Sequence, residues 1–343
     1  MAHAQQRGRL LVQRRVDQVF AGTVGAPSEA TFPTEPHTTL DATPVSREKP
    51  FLHVDARGAW RVRVPDARTD SRGTDWTTGS AAGRSLPLSQ FHIARSTDSA
   101  RLLASQLARG KNLLLTPGVY DIDHSLVIRR DDTVVLGLGQ ATLTAVGGAV
   151  PLVVDDHADG VVVAGVTLGA ARPPPADDAQ HHAQRRLLPV GGPHVGRVGL
   201  VVNGARVHAT GLFVEHFQQH NTIWNGKDGH VVLYQNELPY DPPTQAAWTR
   251  PDGTLGWTGY LVGPRVRRHQ LYGGGVYVFN RNDPSITTAR GFEVPDRAGV
   301  RLHHVLTVNL EAGSIEHVVN DTGARVDSTA PGVPSYVVDY PAP

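Results

Sequence analysis

The sequence of 343 residues contains no cysteine, which excludes disulfide bonds, thiolate catalysis and cysteine-ligated metals together. Lysine is nearly absent, since Lys49, Lys111 and Lys227 are its only examples. The 33 basic and 32 acidic residues almost cancel and form no basic stripe or charged tail, so we expect no nucleic-acid partner. No apolar run reaches the roughly 18 residues that a bilayer span requires, so we expect no membrane partner either.

The most informative feature of the sequence is an internal repeat with a period of 22 residues. Residues 200–215 can be laid over residues 222–237, which places Asn203 on Asn225 and Glu215 on Glu237, each pair 22 residues apart. A strand, an Asn-Gly turn, a second strand and a terminal glutamate therefore recur. Recurrence of this kind is typical of a coil of stacked β-rungs.

Short apolar runs separated by Gly and Asp fill most of the chain after residue 125, and they are too short for helices. Such runs also fit a β-sandwich, but the fixed period favours the coil. We therefore predict an all-β fold, a single-stranded right-handed parallel β-helix with an N-terminal capping helix. Its successive rungs should carry equivalent strands at Val201, Ile223, Leu261 and Phe292.

Composition divides the chain into two regions. Residues 1–95 are rich in Pro, Gly, Thr, Asp and Arg and are predicted to form an irregular leader and cap region. Residues 96–343 are predicted to form the β-helix domain, beginning with a helix that Ser96-Thr97-Asp98 can cap. A loop-like interruption is expected near residues 170–198, where three prolines and a polar run cannot join a sheet ladder.

From the capping helix onward, the chain resembles a known superfamily. Residues 97–120, which end in Leu-Leu-Leu-Thr-Pro-Gly-Val-Tyr, are similar to the entry of pectate-lyase-like β-helix proteins, including polygalacturonase-like and β-1,3-glucanase-like glycosidases. Residues 133–143, 211–226 and 234–245 resemble poorly characterised actinobacterial secreted proteins, often fused to discoidin-type (coagulation factor 5/8-type) sugar-binding modules. The resemblance implies a β-helix and a secreted location. A cytoplasmic location is the alternative, because no apolar signal-peptide core is evident.

Carboxylates and aromatic side chains are concentrated between residues 213 and 257, in a protein that is only 6% aromatic. Flat aromatic faces and carboxylates are what a sugar-binding groove requires, because pyranose rings present both C–H patches and hydroxyl groups. We therefore predict a groove that binds a polysaccharide or oligosaccharide, with residues 238–257 as one wall. Its expected substrate-binding residues are His216, His220, Trp224, Asp228, Tyr234, Asn236, Tyr240 and Trp248.

Glu215 and Glu237 are the predicted catalytic pair, because stacked rungs bring equivalent positions to about 5 Å from each other. Two carboxyl groups this close cannot both ionise easily, so one should keep its proton as general acid while the other acts as nucleophile. Asp241 is the alternative acid if the wider separation of an inverting glycosidase applies. Solvated strand ends and a chance offset would give the same pattern.

The predicted function is therefore a glycoside hydrolase. A non-catalytic glycan-binding or structural β-helix is the first alternative. A polysaccharide lyase is the second, with Arg265, Arg267 or Arg268 as the basic residue.

We expect no metal and no cofactor. The histidines form no zinc-ligand signature, and Asp155, Asp156 and Asp159 fit an ordinary turn better than a calcium loop. Gly137-Leu-Gly139 is not a dinucleotide fingerprint, because no helix follows it and the third glycine is missing. The sequence gives no information on protein partners.

Overall fold

The computed structural model describes residues 18–28, 37–73, 82–170 and 196–342. Within these ranges the chain is almost entirely β, with one α-helix, α1 (Ala100–Ala108), and a short 3-10 turn at Leu88–Gln90. No helix in the described ranges is long and apolar enough to cross a membrane. The interruption expected near residues 170–198 lies mostly outside the described residues.

Strands are numbered β1 to β24 in chain order. The seven before residue 90 are β1 (Gln18–Ala21), β2 (His37–Leu40), β3 (Thr43–Ser46), β4 (Phe51–Val54), β5 (Trp60–Pro65), β6 (Arg68–Ser71) and β7 (Gly83–Pro87). β1 and β2 form a parallel pair, β3 and β6 an antiparallel pair, and β4, β5 and β7 a three-stranded antiparallel sheet. The described part of the expected leader is therefore built largely of paired strands.

Two larger sheets make up the rest of the described chain. The long sheet has ten strands: β8 (Phe91–Ala94), β9 (Asn112–Leu115), β10 (Gly118–Ile122), β12 (Val134–Ala145), β14 (Val162–Gly169), β16 (His208–Glu215), β18 (Gly229–Glu237), β20 (His269–Val278), β22 (Val300–Asn309) and β24 (Pro334–Tyr340). The short sheet has seven: β11 (Leu126–Ile128), β13 (Leu152–Val154), β15 (Leu200–Val202), β17 (Thr222–Trp224), β19 (Tyr260–Val262), β21 (Thr287–Glu293) and β23 (Ser314–Val319). From β11 to β24 the chain alternates between the two sheets.

Parallel pairing in both sheets confirms the predicted rungs. Val201 pairs with Ile223, and Ile223 pairs with Leu261, as the repeat requires. Phe292 pairs with Tyr260 rather than with Leu261, one position from the prediction. The only antiparallel neighbour in either sheet is β24, which pairs with β22. We call a long-sheet strand together with the next short-sheet strand one rung.

Residues in the left-handed conformation bend five adjacent strands of the long sheet at equivalent positions, and we call this set of residues the bend column. Gly165, Gly211, Leu233, Gly273 and His304 have φ angles between 49° and 67°, and they occupy equivalent positions on β14 to β22. Glycine adopts this conformation without a steric penalty, whereas the leucine and the histidine adopt it at a cost of about 1 kcal/mol or more. The bend therefore persists in every one of these rungs, even where no glycine supplies it.

Both faces of the long sheet are buried near its first strands, which explains the continuous apolar runs there. Leu113 and Val135 belong to the main core between the sheets. Leu114 and Val134 point the other way and pack against Val62 and other residues of the β4, β5 and β7 sheet. The N-terminal strands therefore cover the outer face of the long sheet. The boundary predicted at residue 95 falls just after β8, the first strand of that sheet.

The repeated Asn-Gly turns stack directly on each other. The Asn225 side-chain amide donates to Asn203 Oδ1 at 2.9 Å. A Cβ atom added to Gly226 would lie only 1.8 Å from the Gly204 carbonyl oxygen. Position 226 therefore requires glycine, because the backbone of the neighbouring turn lies too close to leave space for a side chain.

Gly226→Ala should lower the free energy of unfolding by about 3 kcal/mol, because the added methyl group forces adjacent rungs apart. The control is Gly169→Ala, whose Cβ would meet only the Thr142 methyl group at an ordinary 3.7 Å. Thermal and urea unfolding of both variants measure the effect. Equal stability of the two variants would contradict the close stacking of residues 204 and 226.

Candidate active site

Glu215 and Glu237 end neighbouring parallel strands. β16 and β18 pair with Phe213 opposite Gln235, and the same register continued by two residues places Glu215 beside Glu237. The backbone N–H of His216 donates to the Glu237 carbonyl at 2.8 Å, which extends the ladder beyond the two glutamates. The repeat in the sequence therefore corresponds to adjacency in space.

Alternation along the strands turns both glutamates away from the core. Val214 and Asn236 point into the interior between the two sheets and are fully buried, so the residues that follow them face outward. The outward column reads Gly169, Glu215, Glu237 and Tyr277 across four strands. Glu215 therefore has a glycine, which lacks a side chain, as its neighbour on β14.

Burial and charge set the protonation of Glu215. Burial first, and then the negative charge of Glu237, raise the pKa of Glu215 from 4.5 to about 7, against the opposing effects of His216 and a hydrogen bond from Gln235. A carboxyl group with this pKa still carries its proton in half of the molecules at neutral pH. Glu215 is therefore suited to donate a proton near neutral pH.

Glu237 is held on one oxygen. Tyr240 donates its hydroxyl hydrogen to Glu237 Oε2, and His216 Nε2 lies 3.2 Å from the same atom. Burial first, and then the charge of Glu237, raise the pKa of Tyr240, so the phenol stays protonated and remains a donor. Contacts from two sides on one oxygen fix the orientation of the carboxylate.

Residues 238–259, which include the segment predicted as a groove wall (238–257), leave the rung between β18 and β19 and contact the site. The Tyr240 ring packs edge-on against His216, with centroids 4.5 Å apart. Trp248 donates its indole N–H to the Gln218 carbonyl at 2.7 Å, and the Gln218 side chain donates to Asp241 at 2.8 Å. The excursion is thus joined to the turn that follows Glu215. Asp241 lies in this wall, where it accepts a hydrogen bond.

A second charged pair lies farther along the same wall. Arg250 is buried and contacts Glu293 at 2.7 Å, and its guanidinium group lies over the Trp257 ring. His220 packs edge-on against that ring and bonds Thr258 Oγ1 at 2.8 Å. Burial and then the Arg250 charge lower the pKa of His220 to about 4, so it is a neutral imidazole at pH 7.

Three of the expected substrate-binding residues belong to the core instead. Trp224, Tyr234 and Asn236 have no exposed surface, because each faces the interior between the two sheets. Tyr234 donates to the Gly259 carbonyl, and Asn236 to the Val214 carbonyl, so both are structural. The aromatic composition of residues 213–257 suggested a groove. Side chains alternate between the two faces of a strand, however, and these three lie on the buried face.

Asp228 and Trp248 were also expected to bind substrate, and they have other positions in the structure. Asp228 directly precedes β18, whereas Glu237 ends it, so the two residues are at opposite ends of the strand. It forms an ion pair with Arg268, and that pair is therefore at the end of β18 opposite to Glu237. Trp248 is buried and contributes its indole to the wall, not an open stacking face. His216, Tyr240 and the two glutamates are the predicted residues that the fold gathers closely.

Four residues of the site were not predicted: Gln218, Gln235, Arg250 and Glu293. Alternation could have identified Gln235, since it lies two residues before Glu237 on the same face. No local pattern identifies Arg250 and Glu293, which are 43 residues apart in the chain and meet only because the excursion folds back.

The described residues include one cluster that could ligate a metal ion, formed by Asp155, Asp156 and His157. Asp156 and His157 are exposed, and Asp155 accepts the backbone N–H of His157 and lies 3.8 Å from Arg129. These are the contacts of a turn between strands. The cluster is on the β13 side of the molecule and shares no contact with the glutamate pair.

Comparisons with known proteins include a family, an enzyme and solved structures. Residues 91–198 and 193–237 match the model of the LAM55 pectate lyase-like domain. An exo-β-1,3-glucanase from Streptomyces sp. (strain SirexAA-E / ActE) is 36% identical over 379 aligned residues, which cover 95% of this chain. This chain spans 61% of the length of that enzyme.

Two solved structures from Streptomyces sp. SirexAA-E are also similar. The structure of sacteLam55A is 34% identical, with a TM-score of 0.69, and the match covers 94% of this chain and 67% of that chain. An ensemble refinement of a glutamate-to-alanine variant of the same protein, in complex with glucose, has a TM-score of 0.68 at the same identity and coverage.

The raised pKa of Glu215 predicts a dependence of stability on pH. Between pH 4.5 and about 7 the folded protein keeps a proton that the unfolded chain has released, so this group stabilises the fold less as pH rises through that window. Glu215→Gln has no proton to lose. We expect the variant to gain thermal stability relative to the parent at about pH 8, compared with about pH 5. Asp296→Asn, at an exposed carboxylate, should show no such difference between the two pH values.

Proposed function

Because the chain belongs to the pectate-lyase-like superfamily, and both glutamates lie within its LAM55-like residues, we propose that it is a glycoside hydrolase that cleaves β-1,3-glucan. The glutamate pair at the ends of β16 and β18 carries this proposal. The substrate class comes from the 36% identical exo-β-1,3-glucanase.

The pair has the properties that glycoside hydrolysis requires. One carboxyl group must donate a proton to the departing oxygen, and a carboxylate must attack the anomeric carbon or activate a water molecule. Glu215 fits the role of proton donor, because burial and the charge of Glu237 raise its pKa to about 7, and Glu237 beside it takes the other role. Contacts from His216 and Tyr240 hold Glu237 in place while a sugar ring binds.

Separation of the two reacting carboxyl groups decides the stereochemical outcome. Neighbouring strands about 4.8 Å apart favour the short distance of a retaining enzyme, about 5 to 5.5 Å. A partner role for Asp241, in the wall above the pair, would correspond to the wider inverting distance of about 6.5 to 9.5 Å. NMR of the first anomer released from the glucan distinguishes the Glu215–Glu237 pair from a pair that includes Asp241.

Two further parts of the proposal concern architecture and location. We propose that the two parallel sheets are faces of one right-handed β-helix, because parallel crossovers are right-handed in almost all proteins. We also propose export from the cell, because a glucan polymer does not cross a membrane. Fusion to a discoidin-type module stays a prediction from the resemblance.

Glu215→Gln and Glu237→Gln should each lower the rate of laminarin hydrolysis by at least about a thousandfold, because each removes one half of the acid and base pair. Both variants should keep the fold, since glutamine retains the shape of the side chain. Glu316→Gln, on β23, is the control and should be fully active. Normal activity in either site variant would remove that glutamate from the mechanism.

Products of digestion should identify the class of reaction. Incubation with β-1,3-glucan should release sugars with a new reducing end, detected by chromatography and mass spectrometry. A polysaccharide lyase would instead leave an unsaturated end that absorbs in the ultraviolet. Binding to the glucan with no product would favour the non-catalytic alternative and contradict the proposal.

A further inference from the structure

A cavity of about 330 Å³ lies on the outer face of the long sheet, separate from the glutamate pair. The chain between β3 and β4, residues 45–50, forms one wall. Residues 160–165 and the first residues of β16 and β18 form the floor and the other wall. Glu215 and Glu237 are at the far ends of β16 and β18, and neither lines the cavity.

Positive charge predominates in the lining. Arg47, Lys49 and Arg206 contribute cations, whereas Glu48 is the single carboxylate among the lining residues. Arg206 is neutralised by an ion pair with Asp159 outside the cavity. The guanidinium of Arg47 and the ammonium of Lys49 remain, and across the described parts of the chain neither forms an ion pair or a hydrogen bond with a carboxylate.

Arg47 is half-buried in this positive environment. Burial lowers its pKa, and among the neighbouring charges Arg84 has a larger effect than Asp132 or Asp66. Asp132 is itself paired with Arg84, at 3.0 Å. A partly desolvated guanidinium whose strongest electrostatic neighbour is another arginine is stabilised by any anion that comes within contact distance.

Lys49 lies over the floor of the cavity at a glycine. A Cβ atom added to Gly165 would be 2.5 Å from Lys49 Nζ, so the ammonium group rests where only a glycine leaves space. Gly165 is also the left-handed residue of β14 in the bend column. The left-handed bend at Gly165 therefore leaves space for the Lys49 ammonium group next to the strand backbone.

Two imidazoles complete the polar lining. His208 and His230 pack edge-on with ring centroids 5.1 Å apart. Burial, then His230 and Arg47, lower the pKa of His208 to about 4, and burial lowers the pKa of His230. Both rings are therefore neutral at pH 7 and can donate a hydrogen bond from one nitrogen without adding charge.

We propose that this cavity binds a small oxyanion, a carboxylate, phosphate or sulfate group, held between Arg47 and Lys49. The volume is at the lower end of the range for small-molecule sites and accommodates one charged sugar ring or a free inorganic anion. This inference is independent of the proposed hydrolysis, because the cavity shares no residue with the glutamate pair.

Isothermal titration calorimetry with inorganic phosphate, glucuronate and glucose tests the proposal. We expect binding of at least one of the two anions, no binding of neutral glucose, and weaker binding as the salt concentration rises. The anion that binds identifies the source of the oxyanion. Arg47→Gln and Lys49→Gln should each reduce the affinity by about tenfold or more, because each removes a charge-assisted hydrogen bond.

Arg57→Gln, at an exposed turn on the neighbouring sheet, is the matched control and should bind as the parent does. All three variants should hydrolyse glucan at the parental rate. Thermal unfolding checks the fold, and since Lys49 is exposed, Lys49→Gln decides the outcome if Arg47→Gln is unstable. Absence of anion binding, equal binding of glucose, or unchanged affinity in Lys49→Gln would overturn the proposal.

Discussion

Parallel pairing in a fixed register is the constraint on which the rest of the structure depends. Because β16, β18, β20 and β22 align residue by residue, a conformation that one of these strands adopts must be accommodated by the next. The left-handed bend shows the strength of this requirement, since Leu233 adopts it between Gly211 and Gly273. A leucine accepts an unfavourable φ angle there because the alternative is the loss of ladder hydrogen bonds on two sides.

The same register produces the chemistry of the site. An exposed glutamate at a strand end is ordinary, but register places a second one beside it. Repulsion between two carboxylates is then unavoidable, and burial under residues 238–259 increases it by excluding water. The pKa of Glu215 rises to about 7 as a result. Folding thus places a proton donor beside a second carboxyl group.

Sequence reasoning predicted the parallel rungs and the adjacent glutamates because both depend on a spacing that is visible in one dimension. It was wrong for Trp224, Tyr234 and Asn236, because the prediction relied on the composition of the region and not on the alternation of side chains along the strands. A buried Asn that bonds a backbone carbonyl cannot be distinguished from a surface Asn by its neighbours in the chain. The Arg250–Glu293 pair and the cavity beside Lys49 depend on how loops and the N-terminal segment fold back onto the sheets. A repeat in the sequence gives no information on such contacts.

The excursion at residues 238–259 also bears on how such a protein can change. Equivalent positions on adjacent rungs are 22 residues apart at Asn203 and Asn225, whereas the contact between His220 and Thr258 spans 38. The two parallel sheets accept both intervals, because strand pairing is unaffected by the length of chain that leaves and returns between strands, and lengthening a loop costs little entropy. Insertion and deletion at this edge can therefore remodel the wall around a constant pair of acids. Evolution of substrate preference would then proceed by changes in loop length, while the scaffold that aligns the acids stays the same.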